Sequence, residues 1–196
     1  FYGADKAPGE DRYIGGMQDN STWYTAPGER ADSTSEYIFA FGGDGFEAVW
    51  NNRDPNLMIG SFQFNEFRRS LDGGVNWENA TLGYDDGSPF ISRLANHKNL
   101  PDKLYTVGSS GVWISDDFGG SWRLNPIPEQ WGFNSSIDIE VSKADYNTIY
   151  TGGFLSEESR IFVSKDGGLS FEASGNYLKQ EMGFISGIGT QPDDPA

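Results

Sequence analysis

The sequence contains no cysteine, a single histidine, and no apolar run approaching the roughly 18 residues that a membrane-spanning helix requires. The lack of cysteine excludes a disulfide framework, a cysteine nucleophile and a cysteine-ligated zinc site. Basic residues are also scarce, because 14 Lys and Arg stand against 29 Asp and Glu and give a formal net charge of −15. A surface this acidic repels nucleic-acid phosphates and anionic membranes, so we expect neither nucleic-acid binding nor membrane insertion.

Residues that favour strands and turns are abundant instead. The 196 residues include 26 glycines and 9 prolines, and 15% of them are Phe, Trp or Tyr. Aromatic residues are enriched in strands, whereas glycine and proline mark tight turns. The composition therefore indicates an all-β chain, long enough for one sizeable domain or for part of a larger one.

One short pattern, Ser-x-Asp-x-Gly-x-(Ser or Asn)-aromatic, occurs three times without gaps. Its members are Ser70, Asp72, Gly74 and Trp77; Ser115, Asp117, Gly119 and Trp122; and Ser164, Asp166, Gly168 and Phe171. The copies begin 45 and 49 residues apart. This spacing is close to the roughly 40–50 residues of a four-stranded propeller blade.

The residue types within the pattern suit a hairpin turn. A carboxylate at the third position can accept hydrogen bonds from the backbone N–H groups of the turn. Glycine at the fifth position permits the positive φ that such a turn needs, and the final aromatic residue is expected to pack between adjacent sheets. We favour a turn-holding role for the three aspartates over a catalytic one.

The sequence around each copy repeats as well. Each copy follows a short strand, and a second strand upstream follows a turn rich in Asp, Pro or Asn, so that each unit reads as four strands. We therefore predict an all-β propeller of four-stranded antiparallel blades. About four blades are expected, at roughly 1–45, 46–82, 90–125 and 137–174, with the start of another at 185–196.

The predicted arc falls short of a ring, which commonly has about six to eight blades. The chain is expected to open in mid-blade, because residues 12–16 take the place of a second strand. An open stack would expose aromatic-rich blade faces to solvent, which is unfavourable. We therefore expect the remainder of a longer chain, or another chain, to close the ring.

The three copies at this spacing resemble the BNR, or Asp-box, β-propeller superfamily, which includes sialidases, xyloglucanase-type glycoside hydrolases, sortilin-like receptors and photosystem assembly factors. Two further segments, 13–23 and 41–49, resemble the "GG-x-QDN-(G/S)-T" and "GGDG" segments of large secreted bacterial propellers. The resemblance implies a bacterial exported protein, located outside the cell or at the cell surface.

Function is expected on the face opposite the repeated turns, which carries the loops between second and third strands and the connections between blades. Asp44, between glycines ahead of an innermost strand, is the candidate catalytic carboxylate; the alternative is that it caps its own turn. Gln18, Asp19 and Asn20 are candidate ligands for a sugar hydroxyl or for a cation such as calcium; the alternative is that they satisfy loop amides. No other cofactor is expected.

Two aromatic residues in a proline-rich connection are further candidates. Trp131 and Phe133 could form a platform for a sugar ring, and the alternative is that their loop packs onto the rim. His97, the single histidine, lies beside a predicted hairpin turn, where we expect it to be exposed and without a role.

Two functions of different classes remain open. A module that binds a protein partner or a glycan, or that serves in assembly, needs no catalytic group. A glycoside hydrolase of the xyloglucanase type needs two carboxylates about 5–10 Å apart across the central cleft, and the resemblance suggests only Asp44 for one of them. Sialidase chemistry is disfavoured, because the arginines are scattered and the Phe/Tyr-Arg-Ile-Pro segment is missing. We favour the binding role.

Overall fold

The computed structural model describes residues 2–26, 30–127, 137–153, 161–174 and 187–194, and the strands in these ranges form four antiparallel sheets of four strands each. Sheet 1 contains β1 (Gly3–Lys6), β2 (Tyr13–Met17), β3 (Ser21–Thr25) and β4 (Tyr37–Phe41), and sheet 2 contains β5 (Ala48–Trp50), β6 (Met58–Phe62), β7 (Glu66–Ser70) and β8 (Glu78–Asn79). Sheet 3 contains β9 (Ala95–His97), β10 (Leu100–Gly108), β11 (Gly111–Ser115) and β12 (Arg123–Pro126), and sheet 4 contains β13 (Ile137–Val141), β14 (Ile149–Gly153), β15 (Ile161–Ser164) and β16 (Glu172–Ala173). A short 3-10 turn, Gln63–Asn65, separates β6 from β7.

Each sheet is a meander in which the strands follow one another in chain order. A hydrophobic core lies between each pair of consecutive sheets, because alternate residues of every strand point to opposite faces. The three cores include Ile14, Trp50 and Met58 between sheets 1 and 2; Ile59, Phe67 and Trp122 between sheets 2 and 3; and Tyr105, Ile139 and Ile149 between sheets 3 and 4. Burying each of these large side chains stabilises the fold by about 1.5–3 kcal/mol.

The first strands of the sheets lie innermost and are linked through side chains. The backbone N–H of Trp50 in β5 donates to Asp5 in β1 (2.8 Å), and that of Ile188 donates to Asp138 in β13 (2.8 Å). The segment 187–190 thus lies beside β13 in the same way that β5 lies beside β1. Fourth strands form the outer edges of the sheets.

The sheets present two opposite faces, which we call the turn face and the loop face. The turn face carries the repeat turns 70–77, 115–122 and 164–171, which contact the turns between first and second strands; for example, Gly73 N–H donates to the Asn56 carbonyl (2.9 Å). In the described part of the chain, the loop face is formed by residues 17–21, 42–46, 62–66, 85–92 and 108–111.

One expectation about sheet 1 is wrong. The chain does not open in mid-blade, because β1 pairs with β2 from Gly3 opposite Gly16 to Lys6 opposite Tyr13 and completes a four-stranded sheet. The described part of the connection from β3 to β4, residues 30–36, lies on the turn face in place of a repeat turn, and Arg30 pairs there with Asp11 (3.1 Å). No helix in the described part of the chain is long and apolar enough to cross a membrane.

Candidate ligand-binding face

The three repeat turns share one hydrogen-bond pattern. In the first, Ser70 Oγ donates to Asp72 (2.9 Å) and accepts from the Gly74 N–H (2.8 Å), while the N–H and the side-chain amide of Asn76 donate to Asp72 (2.9 and 2.7 Å). The same contacts recur around Asp117 and Asp166. Each aspartate therefore holds its own turn.

The protonation of these aspartates reflects those bonds. Hydrogen bonds from Ser170 lower the pKa of Asp166 to about 2 despite slight burial, and those from Asn76 lower the pKa of Asp72. A lowered pKa means that the charged form is stabilised by folding, so this contribution is present above the ordinary pKa of 3.8 and is lost as the pH falls towards 2. These charged, engaged carboxylates are unsuited to proton transfer.

The aromatic residue that ends each repeat turn packs against a neighbouring sheet. Trp122 stacks on Phe67 of sheet 2 (5.2 Å between centroids), and its indole N–H donates to the Ala80 carbonyl (2.6 Å). Trp77 meets Phe41 of sheet 1 (5.1 Å). Phe171 packs on the core between sheets 3 and 4.

On the loop face, Asp44 links two loops. Its carboxylate accepts the Asp19 N–H (2.9 Å), and its own N–H donates to Gln63 Oε1 (2.9 Å). Gln18 accepts the hydroxyl of Tyr2 (2.7 Å), and the Asn20 carbonyl accepts the indole N–H of Trp23 (2.6 Å). The structure therefore brings Gln18, Asp19, Asn20 and Asp44 together, but no second carboxylate is hydrogen-bonded to Asp44 among the described residues.

A row of four aromatic rings runs along the loop face. Tyr2 contacts Phe46 (4.9 Å between centroids), Phe46 contacts Phe90 (5.5 Å), and Phe90 contacts Phe64 (5.5 Å). Phe46 is fully buried, whereas Tyr2, Phe90 and Phe64 are 42%, 37% and 55% exposed. Three partly exposed rings thus surround the buried Phe46 and present apolar surface to solvent. This row was not predicted from the sequence.

The backbone at the end of this row is strained. Phe64 (φ 63°) and Asn65 (φ 55°) are consecutive non-glycine residues in the left-handed region, which is sparsely populated. The Asn65 N–H donates to Ser92 Oγ (2.7 Å), and its buried amide donates to the Tyr84 hydroxyl (2.8 Å) and the Val107 carbonyl (2.7 Å). These bonds fix Asn65 and thereby hold the Phe64 ring outward.

The segments of the loop face carry acidic but no basic side chains. Residues 17–21, 42–46, 62–66, 85–92 and 108–111 contain no Lys or Arg, and their acids are Asp19, Asp44, Glu66, Asp85 and Asp86. Burial opposes the ionisation of Asp86, but hydrogen bonds from Ser109, Trp113 and Ser110 outweigh it and lower its pKa. The aromatic row therefore lies among negative charges.

A second group of charges lies beside the innermost strands. Glu47 accepts from Arg93 (3.1 Å), and Arg93 Nε lies 3.7 Å from Asp138 and donates to the Ile137 carbonyl (3.2 Å). Burial raises the pKa of Glu47 to about 7, although Arg93 opposes the shift. One guanidinium thus connects carboxylates from sheets 2 and 4. Neither Glu47 nor Arg93 was predicted from the sequence.

The remaining candidates give three results. Trp131 and Phe133 lie outside the described residues. The expected exposure of His97 is wrong: it is buried, its ring contacts Tyr146 (5.9 Å), and its Nε2 lies 3.1 Å from the Lys143 carbonyl oxygen. Within the described ranges, no group of three or more His, Asp or Glu side chains is placed to hold a metal ion.

Comparison with known proteins supports the architecture. No protein-family model matches the chain. Integrin alpha-8 of Gallus gallus is 26% identical over 126 residues, which are 61% of this chain and 11% of that protein. YCF48 from Cyanidioschyzon merolae has a TM-score of 0.65 at 18% identity over 98% of this chain and 60% of its own. The GH74 xyloglucanase from Xanthomonas campestris has a TM-score of 0.58 at 14% identity over 85% of this chain and 23% of its own.

These likenesses define the class of protein. At such low identity the solved structures show the fold alone, and the chain spans only part of each relative's length. With four four-stranded antiparallel sheets and propellers as structural neighbours, the chain is an all-β, partial β-propeller of about four blades, which confirms the predicted fold class.

Proposed function

We propose that this chain is a binding module of an exported protein, and that its loop face holds a segment of a partner protein bearing basic and apolar side chains. The observation that carries this proposal is the exposed aromatic row within acidic segments that lack Lys and Arg. Export is supported by the similarity of residues 13–23 and 41–49 to segments of secreted propellers.

The apolar part of the proposal rests on Phe64 and Phe90. Aromatic side chains dominate the energetics of protein interfaces, because they bury a large apolar area and lose little conformational freedom. Phe64 is more than half exposed although its backbone is strained. Strained residues of this kind cluster at ligand-binding sites.

The basic part rests on charge. Five acids and no bases in the loop-face segments give a negative potential, which attracts cationic groups and raises their rate of association. Lysine and arginine are also attracted to the faces of aromatic rings. A segment with both basic and apolar side chains therefore complements this face.

Ring orientation favours a protein over a glycan. Successive rings of the row meet edge to face, at interplanar angles of 88°, 71° and 78°. Such a row offers no shared flat surface on which successive sugar rings could stack. A peptide side chain can instead insert between rings of different orientation.

The test measures binding of a labelled peptide that alternates lysine and phenylalanine. We expect binding that weakens with salt, and a loss of about tenfold or more in the Phe64→Ser variant. The matched control is Leu71→Ser, because Leu71 is 49% exposed on the turn face. A glutamate-phenylalanine peptide should not bind. Equal binding by both variants, or preferential binding of a neutral β-glucan oligosaccharide, would refute the proposal.

Glycoside hydrolysis is the second candidate, and Glu47 favours it. A carboxyl with a pKa of about 7 is suited to act as a general acid, and Asp138 reaches the same guanidinium from another sheet. Incubation with xyloglucan oligosaccharides tests this candidate: turnover that disappears in Glu47→Gln would favour hydrolysis over simple binding.

We also propose that further blades, from a longer chain or from another chain, cover the two ends of the arc. At one end Trp23 and Phe39 (5.5 Å apart) lie on the face of sheet 1 turned away from sheet 2. At the other, a hollow lined by Tyr150, Ile188 and Thr190 lies on the face of sheet 4 turned away from sheet 3. Both faces correspond to those that neighbouring blades cover elsewhere in the arc.

A further inference from the structure

The outer edge of sheet 1 differs from the outer edges of the other three sheets. Strand β4 has five residues, Tyr37–Phe41, and all of them are apolar or aromatic. Tyr37, Ile38 and Phe39 are 47%, 37% and 52% exposed. Among the described residues no strand pairs with the outer side of β4, so its outward N–H and C=O groups have no strand partner.

The other fourth strands carry the features that normally block edge pairing. Strands β8 (Glu78–Asn79) and β16 (Glu172–Ala173) have two exposed residues each and begin with an acid. Strand β12 begins with Arg123 and ends with Pro126. Short length, charge and proline are the means by which proteins prevent edge-to-edge association. Strand β4 has none of them.

Packing of a further blade would not remove this edge. Blades stack face to face, so a blade beyond sheet 1 would cover Phe39, which lies on that face with Trp23. Ile38 lies opposite Tyr24, which points into the core with sheet 2, and it is nevertheless exposed. The backbone edge of β4 would remain open in a closed ring.

The charges around β4 indicate what could pair there. Asp32 and Glu36 are exposed shortly before the strand, and Asp44 follows it. The basic residue nearest in sequence, Arg30, is paired with Asp11. A second copy of this chain would bring the same acids into contact and would carry a net charge of −15, whereas a strand flanked by basic residues would neutralise them.

We propose that β4 is a strand-addition site, which pairs with an extended segment of a partner protein that alternates apolar residues and has basic residues at its ends. Backbone hydrogen bonds would supply affinity, and the alternate side chains of β4 would supply specificity. Strand β4 lies outside the loop-face segments, which share only Asp44 with its surroundings, and this proposal does not depend on the function proposed for the loop face.

The test uses a labelled peptide of alternating valine and threonine with lysine at both ends. We expect this peptide to bind the native chain. The same peptide with methylated backbone amides should bind at least about tenfold more weakly, because the methyl groups block the peptide edge that would pair with β4. A peptide with glutamate ends should also bind more weakly at low salt. Equal binding of the methylated and unmethylated peptides would overturn the proposal.

Variants locate the site. Ile38→Lys should reduce binding about tenfold or more, whereas Leu124→Lys on the outer strand β12 should not, although Ile38 and Leu124 are both 37% exposed. Phe64→Ser on the loop face should leave binding of this peptide unchanged, so the two surfaces are tested separately. Concentration-dependent dimerisation that Ile38→Lys abolishes would assign β4 to a second copy and would overturn the assignment to a basic partner strand. Because the methylated peptide is tested on the unchanged chain, the result does not depend on the folding of a variant.

Discussion

The turn face and the loop face differ in which residues adopt positive φ. In the three repeat turns five glycines have positive φ, namely Gly73, Gly74, Gly119, Gly167 and Gly168, and Phe118 is the one other residue that does. The described loop-face segments have two such glycines, Gly43 and Gly111, and four non-glycine residues with positive φ: Asp19, Ser21, Phe64 and Asn65. Glycine adopts this conformation without steric cost, whereas other residues store strain. The comparison indicates that the turn face is built for stability. The loop face keeps more non-glycine residues in a strained backbone conformation, which indicates a purpose other than stability.

The largest expected effect concerns a glycine of the turn face. At Gly74, φ is +98° and an added Cβ would lie 2.4 Å from the Tyr24 ring, whose hydroxyl donates to the Gly74 carbonyl. Both backbone strain and overpacking would result, so Gly74→Ala should lower the free energy of unfolding by about 3–5 kcal/mol. Urea denaturation measures this loss.

Gly73 provides the matched control. Its φ is +74°, but an added Cβ would have only the Asn56 side chain at 3.5 Å. Gly73→Ala should therefore cost about 1–2 kcal/mol, from strain alone. If the two variants lost equal stability, Tyr24 would be able to move away from the added Cβ at Gly74. The contact between sheets 1 and 2 at Tyr24 would then not be rigid, which would contradict the prediction.

The turn face was predictable from the sequence because its interactions are local. The hydrogen bonds of the Ser70 and Asp72 side chains in the first repeat turn all join residues between Ser70 and Asn76, so a pattern of eight residues contains the arrangement that holds the turn. The candidate sites depend on distant pairs instead: Asp44 meets Asp19 on the loop face, and Glu47 meets Arg93 beside the innermost strands. No spacing rule places these residues together.

The error on His97 and the omission of the aromatic row have the same origin, because both depend on contacts between residues that are distant in the sequence. His97 was expected to be exposed because it lies beside a hairpin turn, but the Lys143 carbonyl and Tyr146 of the next sheet cover it. The aromatic row had a signal in the sequence that was not used: Tyr2 and Phe46 stand shortly before the first strands of their sheets. Residues that stand at the same position before the first strand of each sheet are expected to lie close together at the centre of the propeller, even where the contacts themselves cannot be predicted.

A change of intermediate size would compare the protonation of Glu47, beside the innermost strands, with that of the aspartates on the turn face. Because burial raises the pKa of Glu47 to about 7 from 4.5, folding favours its neutral form. This contribution is present below pH 4.5 and is lost as the pH rises through about 7. Glu47→Gln, which cannot ionise, should be more stable than the unchanged chain above pH 7, by up to about 3 kcal/mol.

Thermal unfolding from pH 4 to pH 8 measures this difference. The two proteins should have similar stability at pH 4 and diverge as the pH rises. The repeat-turn acids should show the opposite dependence when the measurement is extended below pH 4, since the pKa of Asp166 is lowered from 3.8 to about 2. If Glu47→Gln were less stable than the unchanged chain at pH 8, the ion pair with Arg93 would outweigh burial, and Glu47 would be a charged link between blades.

The smallest expected effect on stability is at Phe64, and it tests the meaning of the strain directly. Among the described residues, two phenylalanines have positive φ: Phe64 on the loop face and Phe118 in the second repeat turn. Phe118 is 2% exposed in the core between sheets 2 and 3, whereas Phe64 is 55% exposed. Replacement by glycine relieves about 1–3 kcal/mol of strain at either position. It also adds about 0.5–1 kcal/mol of unfolded-state entropy.

Only Phe118 loses core burial as well, so Phe118→Gly should still destabilise the fold, by about 2–4 kcal/mol. Phe64→Gly should change stability by less than about 1 kcal/mol, yet it should remove most binding of the lysine-phenylalanine peptide. Chemical denaturation and peptide titration of the same samples separate the two effects. A loss above about 2 kcal/mol in Phe64→Gly would mean that the ring is structural. In that case the strain would serve packing on both faces, and the contrast between them would lose its functional meaning.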